Sequence, residues 1–426
     1  MSGLENGTGG DGASAGRAGL GGVGSLAGRS TRERVRWTPS ELYAEHVPSK
    51  ARKRLLWWTP AWLCAGAALF LSLLGIEAIA TTRPEHAAKQ FTFLLIGIAA
   101  ATTVAVPSYR LYRRILIGLV VMVLGLLLFV LIPFVPESIV RPRNGSRSWI
   151  ALGPMDFQPS ELAKTVYILA MAAWLSQTQF HRTLLGYMAA VGLTLIPIGL
   201  IVLEPDLGSA LLFLPTMAAM VIAAGSRKRH VIASVVLAGA MVPIAYGFVL
   251  KPYQRARIDA IIAQISGDTR FEKREGFQGW RAMRLVGSGG VTGVGKQHAG
   301  ALVTFNGLPE EHNDMIFAVV CCRWGLAGGT IVWGAFLVFA IGGLSTATLC
   351  RDPFGRLSVV GIVAISFTQM TINTGMTIGL LPITGITLPF VSYGGSSLLA
   401  TWLNVGLLVN IGLRRPRPDE HSYLDD

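Results

Sequence analysis

The sequence predicts an all-α integral membrane protein of about ten transmembrane helices, with both termini cytoplasmic. Three observations carry this. Of 426 residues, 51% are hydrophobic and only 14% charged, where an ordinary soluble protein carries about 25% charged residues. The mean hydropathy is +0.51, more apolar surface than a watery fold of this length hides. Charge-free apolar runs also recur at the length a bilayer requires, about 20 residues per helix. Together these exclude a soluble enzyme, a disordered scaffold and a secreted disulfide module.

In chain order, residues 1–54 are predicted as a disordered, basic, Gly-rich cytoplasmic tail. Residues 1–30 alone hold eleven glycines and no apolar run. They do not read as a signal peptide and have too little to bury for folding. A membrane domain is predicted over 55–413. Its runs free of Asp, Glu, Lys and Arg are 55–76, 90–109, 115–136, 165–180, 183–203, 207–226, 231–250, 324–350 and 357–413. The last has 57 residues, too long for one span. Pro382, Thr384, Gly385, Pro389, Ser392, Gly394, Gly395 and Ser396 mark a linker that divides it in two. Residues 414–426 form a short cytoplasmic tail.

Orientation follows the basic residues of short loops. With the N-terminus inside, sixteen Lys and Arg fall on the inner side and five on the outer, the long loop aside. Two outer loops, 137–160 and 251–313, are too long to be mere connectors. They hold aromatic residues among the charges and are expected to pack on the outer face. The formal charge of +13 then reads as anchoring to anionic lipid. No helix-turn-helix or zinc finger is present, so nucleic acid is not expected as a partner. Cys64, Cys321, Cys322 and Cys350 have neither C-x-x-C nor zinc spacing and read as small apolar residues.

Four groups of residues have chemical potential. Asp314 follows Glu310, Glu311, His312 and Asn313 and precedes an apolar run. It is either a helix N-cap or a carboxylate base in a partly desolvated cleft. Ser160, Glu161 and Lys164 open the fourth helix, with Ser160 a plausible N-cap. Glu161 and Lys164 share a helix face. They form an interfacial ion pair of little worth or point inward as a functional pair. Glu204 and Asp206 flank Pro205 and read first as a polar turn, second as ligands for a hard divalent cation. Arg143, Arg147, Arg255, Arg257, Arg284 and Lys296 lie in the outer loops. They either snorkel to headgroups or bind an anionic head group such as pyrophosphate. The glycine run 287–295 lacks the G-K-[ST] of a Walker loop and suits close backbone approach. These residues point to an anionic, lipid-linked substrate at the outer face, with enzyme and transporter both open.

Several segments taken in order resemble one family. They are Arg147-Ser148-Trp149-Ile150-Ala151-Leu152-Gly153, Gln158 to Lys164, Glu204 to Ser209, Gly287 to Gly295, Pro309 to Phe317, and Asn373-Thr374-Gly375-Met376 leading into 381–397. The pattern is similar to the SEDS family of FtsW and RodA and extends over roughly 55–413. The resemblance implies a ten-helix, GT-C-like bundle in the cytoplasmic (inner) membrane of a bacterium. Its implied activity is a peptidoglycan glycosyltransferase that joins lipid II into β-1,4 glycan strands by inverting transfer, in division or elongation. The alternatives are a lipid II flippase and a catalytically weak divisome scaffold.

The same resemblance assigns catalytic roles to Asp314, Glu161 and Lys164. It implies a divalent cation, Mg²⁺ or Mn²⁺, for which the residues themselves offer Glu204 and Asp206 as candidate ligands. Substrate-binding candidates are Arg147, Trp149, Gln158, Ser160, His312, Arg257, Lys296, Ser392, Tyr393, Gly394, Gly395 and Ser396. The implied partners are a class B penicillin-binding protein, lipid II and the nascent glycan, membrane lipids, and other divisome or elongasome proteins. The chain departs from the family pattern at Asn313, where Thr is usual, and at Cys321-Cys322-Arg323, where an acidic pair is usual. Its long loop offers Phe277-Gln278-Gly279-Trp280 where the family has a Y-Q-x-x-Q-S run.

Overall fold

The structure, a computed structural model, describes residues 58–143, 146–151, 153, 156–177, 179–249, 252–266 and 276–414. The tail expected at 1–54 lies outside them, as does the expected C-terminal tail beyond Arg414.

Helices occupy every predicted run. The first are α1 (Ala61–Ile79), α2 (Pro84–Ala105), the short α3 (Tyr109–Arg114) and α4 (Leu116–Leu131). Next come strands β1 (Val140–Arg143), β2 (Ser146–Ala151) and β3 (Asp156–Phe157), then α5 (Pro159–Gln177) and α6 (Leu184–Leu203). Helices α7 (Leu207–Leu211), α8 (Phe213–Ala223) and α9 (Lys228–Ile244) follow. The second long loop holds α10 (Pro252–Ile265), α11 (Phe277–Ser288) and α12 (Gly295–Asn306). The chain closes with α13 (Ile316–Leu349), α14 (Pro353–Thr377) and α15 (Gly395–Leu413).

Seven helices among the described residues are long and apolar enough to cross a membrane. They are α1, α2, α6, α9 with the π-turn that continues it, α13, α14 and α15. The other three predicted runs fall on α4, α5 and the α7–α8 pair. Helix α4 has 16 residues, a rise of about 24 Å against a hydrocarbon core of about 30 Å. It stops where Ile132 turns extended, ahead of Pro133. Helix α5 starts at Pro159 and so carries two charges in its opening turns.

The outer loops are not bare connectors. The first folds into an antiparallel sheet of order β1-β2-β3, with Arg141 opposite Trp149 and Ile150 opposite Phe157. Val140 and Ile150 pack with Val130 and Phe129 over the end of α4. In the second loop, the glycine run makes the close approach its composition suggests. A Cβ at Gly293 would stand 2.2 Å from Arg323 O. The facing α13 is broken at Gly325, with φ 67° and ψ −159°. The loop supplies the hydrogen bonds that the break removes. Leu326 N–H donates to Gly290 O at 2.9 Å, Ala327 N–H to Val291 O at 3.0 Å, and Val294 N–H to Cys322 O at 3.0 Å. The departure at Arg323 also finds a partner, since its guanidinium pairs with Glu77 at 3.1 Å.

Within the bundle, α15 packs on α2, α13 on α1, and α14 on α5, α8 and α13. Small residues let the backbones meet. A Cβ at Gly406 would lie 2.3 Å from Ala101 O, so only glycine serves there. Phe336, Phe339, Phe390 and Trp402 fill the centre. Leu95, Val121, Leu195 and Val235 stay exposed on the outside, as a lipid-facing surface requires. At one end Asn410 Nδ2 donates to Val104 O and Pro107 O, both at 2.7 Å, and Arg414 to Ala105 O at 2.9 Å.

Candidate functional site

At the opposite end the chain's polar segments converge. Asp314 comes just before α13, but the N-cap position falls to Met315 and no side chain caps the helix. The N-cap reading of Asp314 is thereby corrected. The residue is 7% exposed. Its backbone carbonyl accepts a hydrogen bond from Asn373 Nδ2 at 2.8 Å. The 382–397 linker runs over it, and a Cβ on Gly385 would stand 4.0 Å from Asp314 Oδ2.

That linker is stitched to the segment before Asp314. Ser392 Oγ donates to Asn313 O at 2.6 Å, and Tyr393 N–H donates to His312 O at 2.9 Å. Gln90 holds the linker from the other side, donating to Ser392 O at 2.8 Å and accepting from Gly394 N–H at 3.2 Å. Sequence reasoning missed Gln90. The one available signal was an amide opening an otherwise apolar run.

Glu161 and Lys164 form an ion pair of 2.8 Å with side chains 7% and 5% exposed. The pair therefore points inward and does not lie at the interface. Lys164 Nζ also donates to Gln369 Oε1 at 3.5 Å. Ser160 is not the N-cap, because α5 already begins at Pro159. Proline suits that first position, where its missing N–H costs nothing. Gln158 N–H donates to Ser396 Oγ at 3.1 Å, and Gln158 Nε2 donates to Asp206 Oδ2 at 3.1 Å. Gln158, Ser160, Ser392, Tyr393, Gly394, Gly395 and Ser396 thus belong to the same neighbourhood as the charged pair and Asp314.

A cleft of about 820 Å³ opens between residues 82–86 and 303–312. Arg83, Glu85, His86, Glu310, Glu311 and His312 line it. Arg83 Nε meets Glu311 Oε1 at 2.8 Å. Burial pushes the Glu311 carboxyl up, but hydrogen bonds from His312 and Arg83 outweigh it and hold it at about 2. The His86 ring stands 4.9 Å from His312 and 4.7 Å from Tyr393.

The Arg147 guanidinium donates to Pro133 O at 3.1 Å and Val135 O at 2.7 Å, fastening the sheet to the turn after α4. Trp149 is half-buried in β2 and Lys296 is exposed in the first turn of α12. The side chains of Arg143 and Arg257 lie outside the described residues.

Of the two candidate cation ligands, Asp206 is already engaged, whereas both Glu204 carboxyl oxygens are buried without a hydrogen-bond partner. Asp206 Oδ1 caps α7 through Ser209 N–H at 3.0 Å, and its other oxygen takes the Gln158 amide. This is the turn reading. Burial pushes the Glu204 carboxyl up to about 8, with Asp206 adding to the rise. Among the described residues no three His, Cys, Asp or Glu converge to hold a metal.

The Glu204 shift has a measurable sign. An acid whose ordinary value of 4.5 rises to about 8 on folding holds its proton better in the native state. Its stabilising contribution is complete below 4.5 and is lost as pH rises through about 8. Glu204→Gln is expected to remove that decline. Thermal unfolding of both proteins across this window checks it, and parallel curves would refute it.

A many-helix bundle with a lipid-facing surface, closing one end over a buried carboxylate and a buried Lys–Glu pair, defines a multi-pass membrane protein with a polar site at one face. Its residues 53–416 match the FtsW/RodA/SpoVE family of cell cycle proteins, and the chain belongs to that family. It is 35% identical over 331 residues to a probable peptidoglycan glycosyltransferase FtsW of Geobacter metallireducens, covering 76% of this chain and 84% of that one. It is 34% identical over 330 residues to stage V sporulation protein E of Bacillus subtilis, covering 76% and 86%. A solved chain described under the structural coordination of polymerization and crosslinking by a peptidoglycan synthase complex superposes with a TM-score of 0.70. Its identity is 28%, covering 82% of this chain and 97% of that chain.

Proposed function

We propose that this protein is a peptidoglycan polymerase that joins lipid II disaccharide units into β-1,4 glycan strands. It would act at the outer face of a bacterial cytoplasmic membrane beside a class B penicillin-binding protein. The observation that carries the reading is Asp314, a 7% exposed carboxylate outside the helix-cap position, in the same polar layer as Lys164. A glycosyl pyrophosphate is an activated donor, so one base suffices. Asp314 takes the proton of the acceptor 4-hydroxyl. That oxygen attacks the anomeric carbon as its bond to the pyrophosphate breaks, and the α-linked donor gives a β bond. Charge grows on the leaving pyrophosphate, where a fixed cation helps most; Lys164 is the cation proposed to face it. The family relatives named as glycosyltransferases support this reading.

The positive-inside asymmetry supports an outward site, because Arg110, Arg113, Arg114 and Arg414 mark the other end. A flippase must open its site to both faces, whereas the polar layer described here gathers at one. The test reconstitutes the purified chain with its class B partner and lipid II in a buffer containing Mn²⁺. Glycan ladders on a gel are the expected result. Movement of lipid II across liposomes without any ladder would replace the polymerase by a transporter.

A further inference from the structure

Two amide side chains outside every role assigned above join the halves of the site. Both sit on α14, four residues and about one helical turn apart, so they face the same way. Asn373 is 0% exposed. Its amide nitrogen donates to Asp314 O at 2.8 Å and to Ile386 O at 2.7 Å. Gln369 is 3% exposed. Its nitrogen donates to Thr387 O at 3.1 Å and Thr387 Oγ1 at 3.3 Å, while its oxygen accepts from Lys164 Nζ at 3.5 Å. Each amide thus touches one charged residue of the site and one residue of the linker above it.

We propose that Asn373 and Gln369 are positioning residues that fix the separation of Asp314 from Lys164 and hold the 386–387 linker over both. The inference rests on the polymerase reading given above. Packing alone does not account for the pair. A buried amide costs free energy unless its hydrogen bonds are made, and an apolar residue would fill the same helix face more cheaply. The Asn373 amide is not even fully satisfied, since its Oδ1 is buried with no hydrogen-bond partner. What it does provide is a two-pronged donor aimed at two backbone carbonyls, one of which belongs to Asp314. A misplacement of about 1 Å at a reacting group costs about 100-fold in rate, so such a tie acts on turnover.

Asn373→Asp tests this without changing the shape of the residue. Protonated, the acid keeps one O–H donor; ionised, it has none. The titratable groups bearing on it are Asp314, whose backbone it holds, and the Glu161–Lys164 pair reached through Gln369. Turnover of N373D is expected to fall progressively below wild type as pH rises, by about 10- to 100-fold, with KM for lipid II unchanged to within about twofold. Asn373→Leu, which lacks a donor at any pH, is expected to show the low turnover throughout. Should it fail to fold, as read by thermal unfolding, N373D alone decides. An N373D profile parallel to wild type, or a loss confined to KM, overturns the positioning role. Asp314→Asn is run alongside. An inactive D314N with a parallel N373D profile removes the positioning role and leaves the polymerase; an active D314N removes Asp314 as the base and the positioning role with it; a wild type that makes no ladders removes the polymerase.

Discussion

Asp314→Asn is expected to abolish ladder formation while leaving the fold intact. The change preserves size and planarity. The Asn373 tie goes to the backbone carbonyl of Asp314 at 2.8 Å, so it survives. What is lost is the ability to take a proton. General-base catalysis contributes about 10²- to 10⁴-fold, so ladders from D314N should drop below detection under conditions where wild type consumes its lipid II. Asp314→Glu keeps the base and moves it by one methylene; it is expected to retain weak activity. The measurement is gel-resolved polymerisation with thermal unfolding on the same samples. Wild-type ladders from D314N would take the residue out of the mechanism.

The second large effect belongs to Glu161 and Lys164. Both are almost wholly buried and bonded at 2.8 Å. Removing one partner strands the other charge in a medium that penalises it. Lys164→Met is therefore expected to destabilise the protein by about 3–5 kcal/mol, with activity lost as well. The double variant Glu161→Gln, Lys164→Met removes both charges. It is expected to regain most of the stability but none of the activity, because the cation proposed to face the pyrophosphate is gone. Stability is read by thermal unfolding in detergent, activity by ladders. Recovery of both in the double variant would make the pair structural only.

The sequence disclosed the spans because a bilayer imposes a length, and a charge-free run of that length stands out. It placed α14 and α15 around the 382–397 linker for the same reason. For α5 the charge-free run stops at Lys164, yet Ser160 to Lys164 were legible as the helix opening, one residue from the observed start at Pro159. The helix continues to Pro159 because the two charges neutralise each other inside the protein. The sheet at 140–157 and helices α10 to α12 were read only as loops. Their stability comes from contacts with distant segments, such as the glycine run against Cys321 to Arg323, which local pattern does not encode. Asp314, Glu161 and Lys164 were legible as charges at membrane edges. Gln90, Gln369 and Asn373 were not, because a lone amide in an apolar run looks the same whether it faces lipid or ties down a buried segment. Arg147 shows the converse: its charge suggested an anion, yet its guanidinium spends itself on Pro133 and Val135 carbonyls.

The long-range stitching also bears on how the protein is made. Gln90 must wait for Ser392, a residue 302 positions later, and Asn313 for the same serine 79 positions later. Helix α15 lies against α2 at Gly406 and Ala101, although about two thirds of the chain is synthesised between them. A ribosome adding about 5–20 residues per second leaves α2 without its neighbour for the greater part of translation. The nascent chain consequently passes through the membrane machinery with Asp314 unroofed and its surroundings unassembled. A product truncated before residue 395 lacks α15 and the surface on which α2 packs, and is expected to yield no glycan ladders.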